Sequence, residues 1–427
     1  MTRSDVRVIE PLAAPPDTVV SVPGSKSLTN RALVIAALGD GTSHLRNTLY
    51  SDDTVVMAES LRRLGFEVDA DATSSVMRVA GRGGAIPAAE ADLFVGNAGT
   101  AARFLTAMVC LGRGRYRLDG VARMRERPIG DLADALRQLG AVVTATNGSL
   151  PLVVEARGLR GGLAVVSGEV SSQFVSALLM AAPYASGDVE IEVAGRLVAA
   201  PYVEMTLAVM EAFGVTVART GRWRFRIRAG QRYRARAYDV EPDASGAAYF
   251  FAAAAITGGR VTVRGVPPAS LQGDAQFVGI LEHMGCRVER GEAGLTVTGT
   301  GSLAGVDVDL GSMSDQTMTL AAIAPFAHGP TRIRGVAHIR HQESDRLAAT
   351  AAELRRIGQD VEELDDGLLI RPRPVRPAVI QTYGDHRIAM AFAVTGLRAP
   401  GLAIADPGCV AKTFPDFFDR LERLRLG

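Results

Sequence analysis

The stretch "VPGSKSLTNRAL", residues 22–33, ends an apolar run with Gly-Ser-Lys-Ser and then passes into a helical pattern. It reads like the tail of a phosphate-binding loop, but the spacing G-x-x-x-x-G-K-[ST] is absent, so nucleotide cradling is not implied. Of the 47 basic residues all but Lys26 and Lys412 are arginine. Two lysines retained in such a background mark positions that need a compact, rotatable ammonium rather than a planar guanidinium. Five arginines, Arg31, Arg103, Arg127, Arg346 and Arg387, fall at or near the starts of helical segments, where recognition of phosphate or carboxylate is expected. Arg125 and Arg356 read as ordinary ion-pair partners. Asp52, Asp53, Asp345 and Asp385 are the carboxylates available to offset guanidiniums placed inside apolar patterns.

The elements that must position these groups repeat. Six segments share a polar start, an Ala-rich apolar helix and a glycine turn, closing at Gly41, Gly114, Gly187, Gly259, Gly329 and Gly401 with intervals of 73, 73, 72, 70 and 72 residues. A second, amphipathic helix ends at Gly65, Gly140, Gly214, Gly285 and Gly358 on the same beat. Each unit therefore predicts strands with one buried and one half-exposed helix. Six units in 427 residues predict two domains of three, with a seam near "YDVEPD", 238–243. The starts of the apolar helices carry Lys26 and Ser27; Asn97 and Thr100; Ser171, Ser172 and Gln173; Asp243 and Ser245; Ser314 and Asp315; and Asp385, His386 and Arg387. Any one of these is a helix cap. Six in phase would bring positive macrodipole ends together, and a cleft between two such faces suits a polyanion.

Composition narrows the alternatives. A net charge of +1 argues against nucleic acid and membrane surfaces as partners. No run approaches a membrane span, and "MTRSDVRVIE" has no apolar core of a targeting signal. Cys110, Cys286 and Cys409 are scattered and fit a reduced, cytoplasmic setting. The strip 219–238 holds eight arginines, but its alternation over 222–228 is that of a half-buried strand with a basic outer face. His283 reads as packing or surface. His338 and His341 lack partners at ligand spacing, so neither a metal nor another cofactor is expected.

The segments "PGSKSLTNRAL", "SDDT", "GNAGTAARF", "RMRERPIGDL", "SSQFVSALL", "PYVEMT", "EPDASGAAYF", "SDQTMT", "ESDRL", "GDHRIAMAF" and "AKTFPDFF" run in order from residue 23 to 418. Together they resemble the 5-enolpyruvylshikimate-3-phosphate synthase family. The resemblance implies an α/β fold of two lobes, each of three βαβαββ repeats in an inverse α/β barrel, with the active site in the interlobe cleft. One lobe would span 24–240 and mainly bind shikimate 3-phosphate. The other would combine 1–23 with 241–427 and carry Asp315, Glu343, Arg346, Arg387 and Lys412.

The implied reaction moves the enolpyruvyl group of phosphoenolpyruvate to the 5-hydroxyl of shikimate 3-phosphate and releases phosphate through a tetrahedral adduct. By resemblance, Lys26, Asn97, Gly99, Arg127, Arg346, Arg387 and Lys412 hold phosphoenolpyruvate. Lys26, Ser27, Arg31, Ser171, Ser172, Gln173, Tyr202, Asp315 and Gln342 hold shikimate 3-phosphate. Asp315 is the expected base and Glu343 the expected acid, with Lys26 also catalytic; an ion pair from Glu343 to Arg346, three residues on, is compatible with that role. The partners implied are small anionic substrates, and the enzyme is expected to be a monomer. Three positions depart from the family pattern: Gln342 replaces a frequent Lys, Ala199 a frequent Ser, and Phe104 a frequent Pro. A sister family that transfers enolpyruvyl to UDP-N-acetylglucosamine carries a reactive cysteine where this chain has Ala122. A non-catalytic anion- or RNA-binding protein on the same lobes is the rival of another class.

Overall fold

The computed structural model describes residues 6–426; residues 1–5 of the expected second lobe, and with them the start of the N-terminal stretch, lie outside the described residues, as does Gly427. The chain separates into two compact units, Gly24–Val240 and Met1–Pro23 with Glu241–Gly427.

The unit Gly24–Val240 is organised by three helices that are apolar on nearly every side. Lys26–Leu38, Gly99–Val109 and Ser172–Ala181 bury almost all of their residues, as all-round hydrophobic helices must. Around this core lie three four-stranded sheets of one design: a parallel pair followed by two antiparallel neighbours. They run Ala237–Asp239, Asp40–Arg46, Val76–Arg82, Glu67–Asp71; then Glu90–Phe94, Arg113–Asp119, Ser149–Arg157, Val142–Thr146; then Gly162–Ser167, Val189–Ala194, Arg224–Ile227, Ala218–Gly221. Helices with one wet face, Asp52–Arg63 and Gly130–Gln138, supply the amphipathic set.

The other unit repeats the design. Ala244–Thr257, Thr317–Ile323 and His386–Gly396 are the buried helices. Two of its sheets keep the four-strand order, Asp17–Val20, Arg260–Arg264, Gly294–Thr298, Arg287–Gly291 and Asp307–Asp309, Thr331–Arg334, Gly367–Arg371, Asp360–Leu364. The third has three strands, because Val6–Ile9 from the chain start closes it against Leu402–Ala405. This is an α/β fold of repeated βαβ units.

Two of the six apolar helices are shorter than their sequence pattern. Helical hydrogen bonding changes to a 3₁₀ turn at Ala182–Tyr184 and at Ala324–Phe326. Each turn contains a proline, Pro183 or Pro325, which lacks the donor that an α-helix would need there. The segment "SDQTMT" also begins as a 3₁₀ turn, Ser314–Gln316, so Asp315 sits within a tight turn, and the helix that follows has no side-chain cap.

Gly24, which opens the lysine motif, is fixed by a close approach. A Cβ there would lie 1.8 Å from the Asn47 carbonyl oxygen. Gly24→Ala is expected to lose about 1–3 kcal/mol of stability in urea denaturation, whereas Gly408→Ala, with nothing within 4 Å, should stay within about 0.5 kcal/mol of the parent. Equal midpoints for the two variants would show that the 24–47 approach is not required.

Candidate active site

The densest group of charges lies in the unit that contains Asp315, and its centre is Arg346. This residue is 1% exposed, at the first position of the helix Arg346–Arg356, whose cap is Asp345 accepting from the Ala348 N–H at 3.0 Å. Its Nε meets Asp385 at 2.8 Å, Nη1 meets Asp315 at 3.0 Å, and Nη2 meets Glu343 at 2.9 Å. The Gln342 side-chain carbonyl accepts from Nη1 as well. Burial alone would lower the Arg346 pKa; the charges of Asp385, Glu343 and Asp315 outweigh it and hold the group above the ordinary guanidinium value.

Arg387 supplies a second cation. Its Nη2 donates to the other Asp315 oxygen at 2.6 Å, and Nη1 reaches the Tyr249 hydroxyl at 3.5 Å. Asp315 therefore bridges two guanidiniums while keeping its side chain 17% exposed. Asp385 caps the helix His386–Gly396 by accepting from the Arg387 N–H at 3.0 Å. Burial raises the Tyr249 pKa to about 12 against the pull of Arg387. Asp274, hydrogen-bonded by Ser245, is pushed up to about 6 by burial and then by the charge of Asp315. Lys412 is buried at the end of the 3₁₀ turn Pro407–Lys412 in this same unit.

The unit Gly24–Val240 holds the other group. Ser25 caps the helix that opens with Lys26, and the Lys26 ammonium lies 3.1 Å from the buried Asp53 carboxylate. Arg31, one turn on, is wholly buried yet its bonds are to neutral oxygens: Thr206 at 2.7 Å, Ser176 at 3.3 Å, and the carbonyls of Ser27 at 2.9 Å and Tyr202 at 3.0 Å. The rings of Phe104 and Tyr202 lie 5.2 and 6.0 Å from the guanidinium carbon. Burial lowers its pKa to about 10.

Arg127 donates to the Asn97 carbonyl at 3.1 Å and to its side-chain oxygen at 3.3 Å. A Cβ on Gly99 would stand 2.6 Å from Arg127 Nη2, so glycine at this position lets the guanidinium lie over the helix start. The helix Gly99–Val109 has no side-chain cap. Ser171 caps the helix Ser172–Ala181 by accepting from the Gln173 N–H at 3.2 Å.

Most of the expected site residues thus fall into three clusters, one in the unit that contains Asp315 and two in the unit Gly24–Val240. Asp315, Gln342, Glu343, Arg346 and Arg387 share one hydrogen-bonded cluster, and Lys412 is buried in the same unit. Asn97, Gly99 and Arg127 form a second cluster, and Ser27, Arg31 and Tyr202 a third. Arg103 turns to the carbonyls of Pro128 at 2.7 Å and Gly99 at 3.3 Å. Arg125 and Arg356 do pair with carboxylates, Asp119 and Glu353. Asp274, Thr206, Ser176 and Glu353 were not among the expected residues. The arginines of the strip 219–238 meet acids on neighbouring elements: Arg219 with Glu204, Arg224 with Glu190 and Glu192, and Arg226 with Asp188. That pairing neutralises much of the basic face. His338 bonds Ser314 at 2.9 Å. Among the described residues no group of three or more metal-ligating side chains occurs, and no helix is long and apolar enough to cross a membrane.

A profile of the family "EPSP synthase (3-phosphoshikimate 1-carboxyvinyltransferase)" matches residues 14–421. The 3-phosphoshikimate 1-carboxyvinyltransferase of Trichormus variabilis is 51% identical over 422 residues, covering 98% of this chain and 99% of its own. The chloroplastic enzyme of the same description from Arabidopsis thaliana is 49% identical over 427 residues, covering 95% and 82%. Among solved structures, an EPSP synthase from Acinetobacter baumannii superposes with a TM-score of 0.80 at 27% identity over 98% of both chains.

The turn that leads to Arg127 depends on Asp119. Arg125 chelates that carboxylate at 2.8 and 2.8 Å, and the Gly120 N–H donates to it at 2.8 Å. The Arg125 bond, ahead of the opposing effect of burial, lowers its pKa to about 2. A depressed carboxylate pKa gives stability that is present above about pH 4 and lost as pH falls toward 2. Asp119→Asn should cost about 1 kcal/mol at pH 7, since the arginine is half exposed, and the gap should shrink when urea denaturation is repeated near pH 3. A gap independent of pH would assign the effect to shape rather than charge.

Proposed function

The chain belongs to the EPSP synthase (3-phosphoshikimate 1-carboxyvinyltransferase) family and transfers the enolpyruvyl group of phosphoenolpyruvate to shikimate 3-phosphate in the shikimate pathway, and from that premise we propose which of its residues carry the reaction. Each compact unit is read as one lobe of three βαβαββ repeats, an inverse α/β barrel with its apolar helices inside. The 24–240 lobe mainly binds shikimate 3-phosphate, through Ser27, Arg31, Ser171, Ser172, Gln173 and Tyr202. Lys26, Asn97, Gly99 and Arg127 of that lobe, with Arg346, Arg387 and Lys412 of the other, hold phosphoenolpyruvate.

The observation that carries this reading is Asp315 spanning Arg346 and Arg387. Two guanidiniums on one partly exposed carboxylate form a site that an incoming carboxylate or phosphate can enter by exchange. While both arginines hold Asp315 it is a poor base. Once the substrate anion takes the guanidiniums, Asp315 is released to accept the proton of the 5-hydroxyl of shikimate 3-phosphate, a substrate that it and Gln342 also bind. Glu343, 2.9 Å from Arg346, stands on the phosphoenolpyruvate side and delivers a proton to the methylene carbon. Three carboxylates, Asp315, Glu343 and Asp385, face these two cations. A bound dianion is therefore better tolerated when one of the three carries a proton, and the acid role of Glu343 meets that demand. In the elimination Glu343, now a carboxylate, takes a proton back from the new methyl group as the C–O bond to phosphate breaks, which re-forms the C=C bond; the growing charge on the phosphate is stabilised by Lys26, Arg127 and Lys412. Small anionic metabolites are the only partners this chemistry requires, with no cofactor, and a cytoplasmic monomer suffices for it.

The test is phosphate release from the two substrates. Lys26→Ala, Asp315→Ala and Glu343→Ala should each lower kcat by about 10²–10⁴-fold while circular dichroism shows the fold retained; full turnover by the Glu343 variant would remove it from the acid role. Gly99→Ala, by pushing Arg127 off Asn97, should raise KM for phosphoenolpyruvate roughly tenfold and leave the binding of shikimate 3-phosphate, measured calorimetrically, within about twofold of the parent. Equal loss for both substrates would contradict the assignment of Gly99 and Arg127.

A further inference from the structure

The buried carboxylate of Glu353 belongs to none of the groups described above. It lies two turns along the helix from Arg346 and is 0% exposed. Its Oε1 accepts from the Tyr383 hydroxyl at 2.7 Å, and Oε2 accepts from the Gln381 N–H at 3.0 Å and from Arg356 Nε at 2.9 Å. Two of these three bonds go to a short loop, 381–384, that ends on Asp385. Tyr383 and Gly384 in that loop both have left-handed backbone, with φ of 56° and 65°. Glycine tolerates this; tyrosine is sterically disfavoured there. The Tyr383 side chain is 47% exposed, so ring burial does not hold it in place. Its hydroxyl is tied to Glu353 instead.

The next residue is the one that matters for the site. Asp385 receives Arg346 at 2.8 and 3.3 Å, the Ser344 hydroxyl at 3.0 Å and the Arg387 N–H at 3.0 Å. The helix Arg346–Arg356 thus grips one loop twice, through Arg346 on Asp385 and through Glu353 on Gln381 and Tyr383. We propose that Glu353 and Tyr383 are positioning residues for the phosphoenolpyruvate side of the site, holding the 381–384 loop so that Asp385 keeps Arg346 and Arg387 in register. The inference rests on the assignment of those two arginines to phosphoenolpyruvate. A merely structural ion pair would affect stability and nothing else, whereas a positioning role predicts a change confined to one substrate.

Tyr383→Phe removes only the hydroxyl from an exposed ring, and Glu353→Gln keeps the shape of the buried group. Both should raise KM for phosphoenolpyruvate about three- to tenfold with a much smaller change in kcat, while the calorimetric affinity for shikimate 3-phosphate is unaltered. Tyr383→Phe should melt close to the parent, and it carries the test if Glu353→Gln does not fold. An unchanged KM for phosphoenolpyruvate in Tyr383→Phe, or parallel loss for both substrates, overturns the proposal. Arg387→Ala is measured beside them. A raised KM there with none in Tyr383→Phe sinks the positioning role alone; no change there sinks the substrate assignment and the inference with it.

Discussion

A guanidinium removed from water must be given back its charge partners, and much of the Asp315 unit is arranged around that requirement at Arg346. Desolvating an isolated ion is prohibitive, and a buried pair survives only when its hydrogen-bonding capacity is filled. Arg346 meets the condition with Asp315, Glu343, Asp385 and Gln342. Those partners come from a 3₁₀ turn, from the segment before the helix and from the cap of another helix. The elements are held near one another partly because the cation needs all of them. Asp385 does double work here, since the carboxylate that offsets Arg346 also caps the helix beginning at His386.

Arg31 solves the same problem without a carboxylate. Hydroxyls, carbonyls and two aromatic faces surround it. Its pKa falls to about 10, which still leaves it charged at neutral pH. The contrast bears on two of the family departures. Phe104, in place of a frequent proline, places a ring beneath Arg31. Gln342, in place of a frequent lysine, accepts a hydrogen bond from Arg346, where an ammonium would have added a like charge. Ala199 has left-handed backbone, φ 48°, without a hydroxyl; nothing in the structure explains its choice over serine.

What could be read from the sequence is what local physics decides. The apolar helices, the glycine stops of the amphipathic set at Gly65, Gly140, Gly214, Gly285 and Gly358 and the i,i+3 pair of Glu343 with Arg346 follow from spacing, and so do the ordinary ion pair of Arg356 and the half-buried strand Arg224–Ile227. The proline-driven 3₁₀ turns after Ala181 and Ile323 are equally local, and Pro183 and Pro325 mark them in retrospect. Other contacts join residues far apart in the chain: Arg346 to Asp385 across 39 residues, Arg387 to Asp315 across 72, and Arg31 to Thr206 across 175. No periodicity encodes these. Glu353 shows the limit well, because on a helix with the pattern "AAELRRIG" a glutamate beside arginines reads as solvent-facing, and only the packing of the 381–384 loop buries it.

A cationic pocket has to endure without its ligand, and under the proposed assignment that constraint explains why Arg346 and Arg387 are already occupied by Asp315. An empty pair of buried guanidiniums would repel and would lack compensation for lost water. A permanently neutralised pair would have no attraction left for a substrate. A carboxylate that is tethered, partly exposed and shared between both cations avoids each extreme. Asp315 pairs with both Arg346 and Arg387, and in the proposed mechanism it yields them to a dianion whose charge is greater than its own. In that proposal the exchange would couple binding to chemistry, since the group displaced by the substrate is the one that then has a proton to accept. Under that proposal the same carboxylate would serve stability before binding and basicity after it, and the two roles would not interfere because the arginines permit only one at a time.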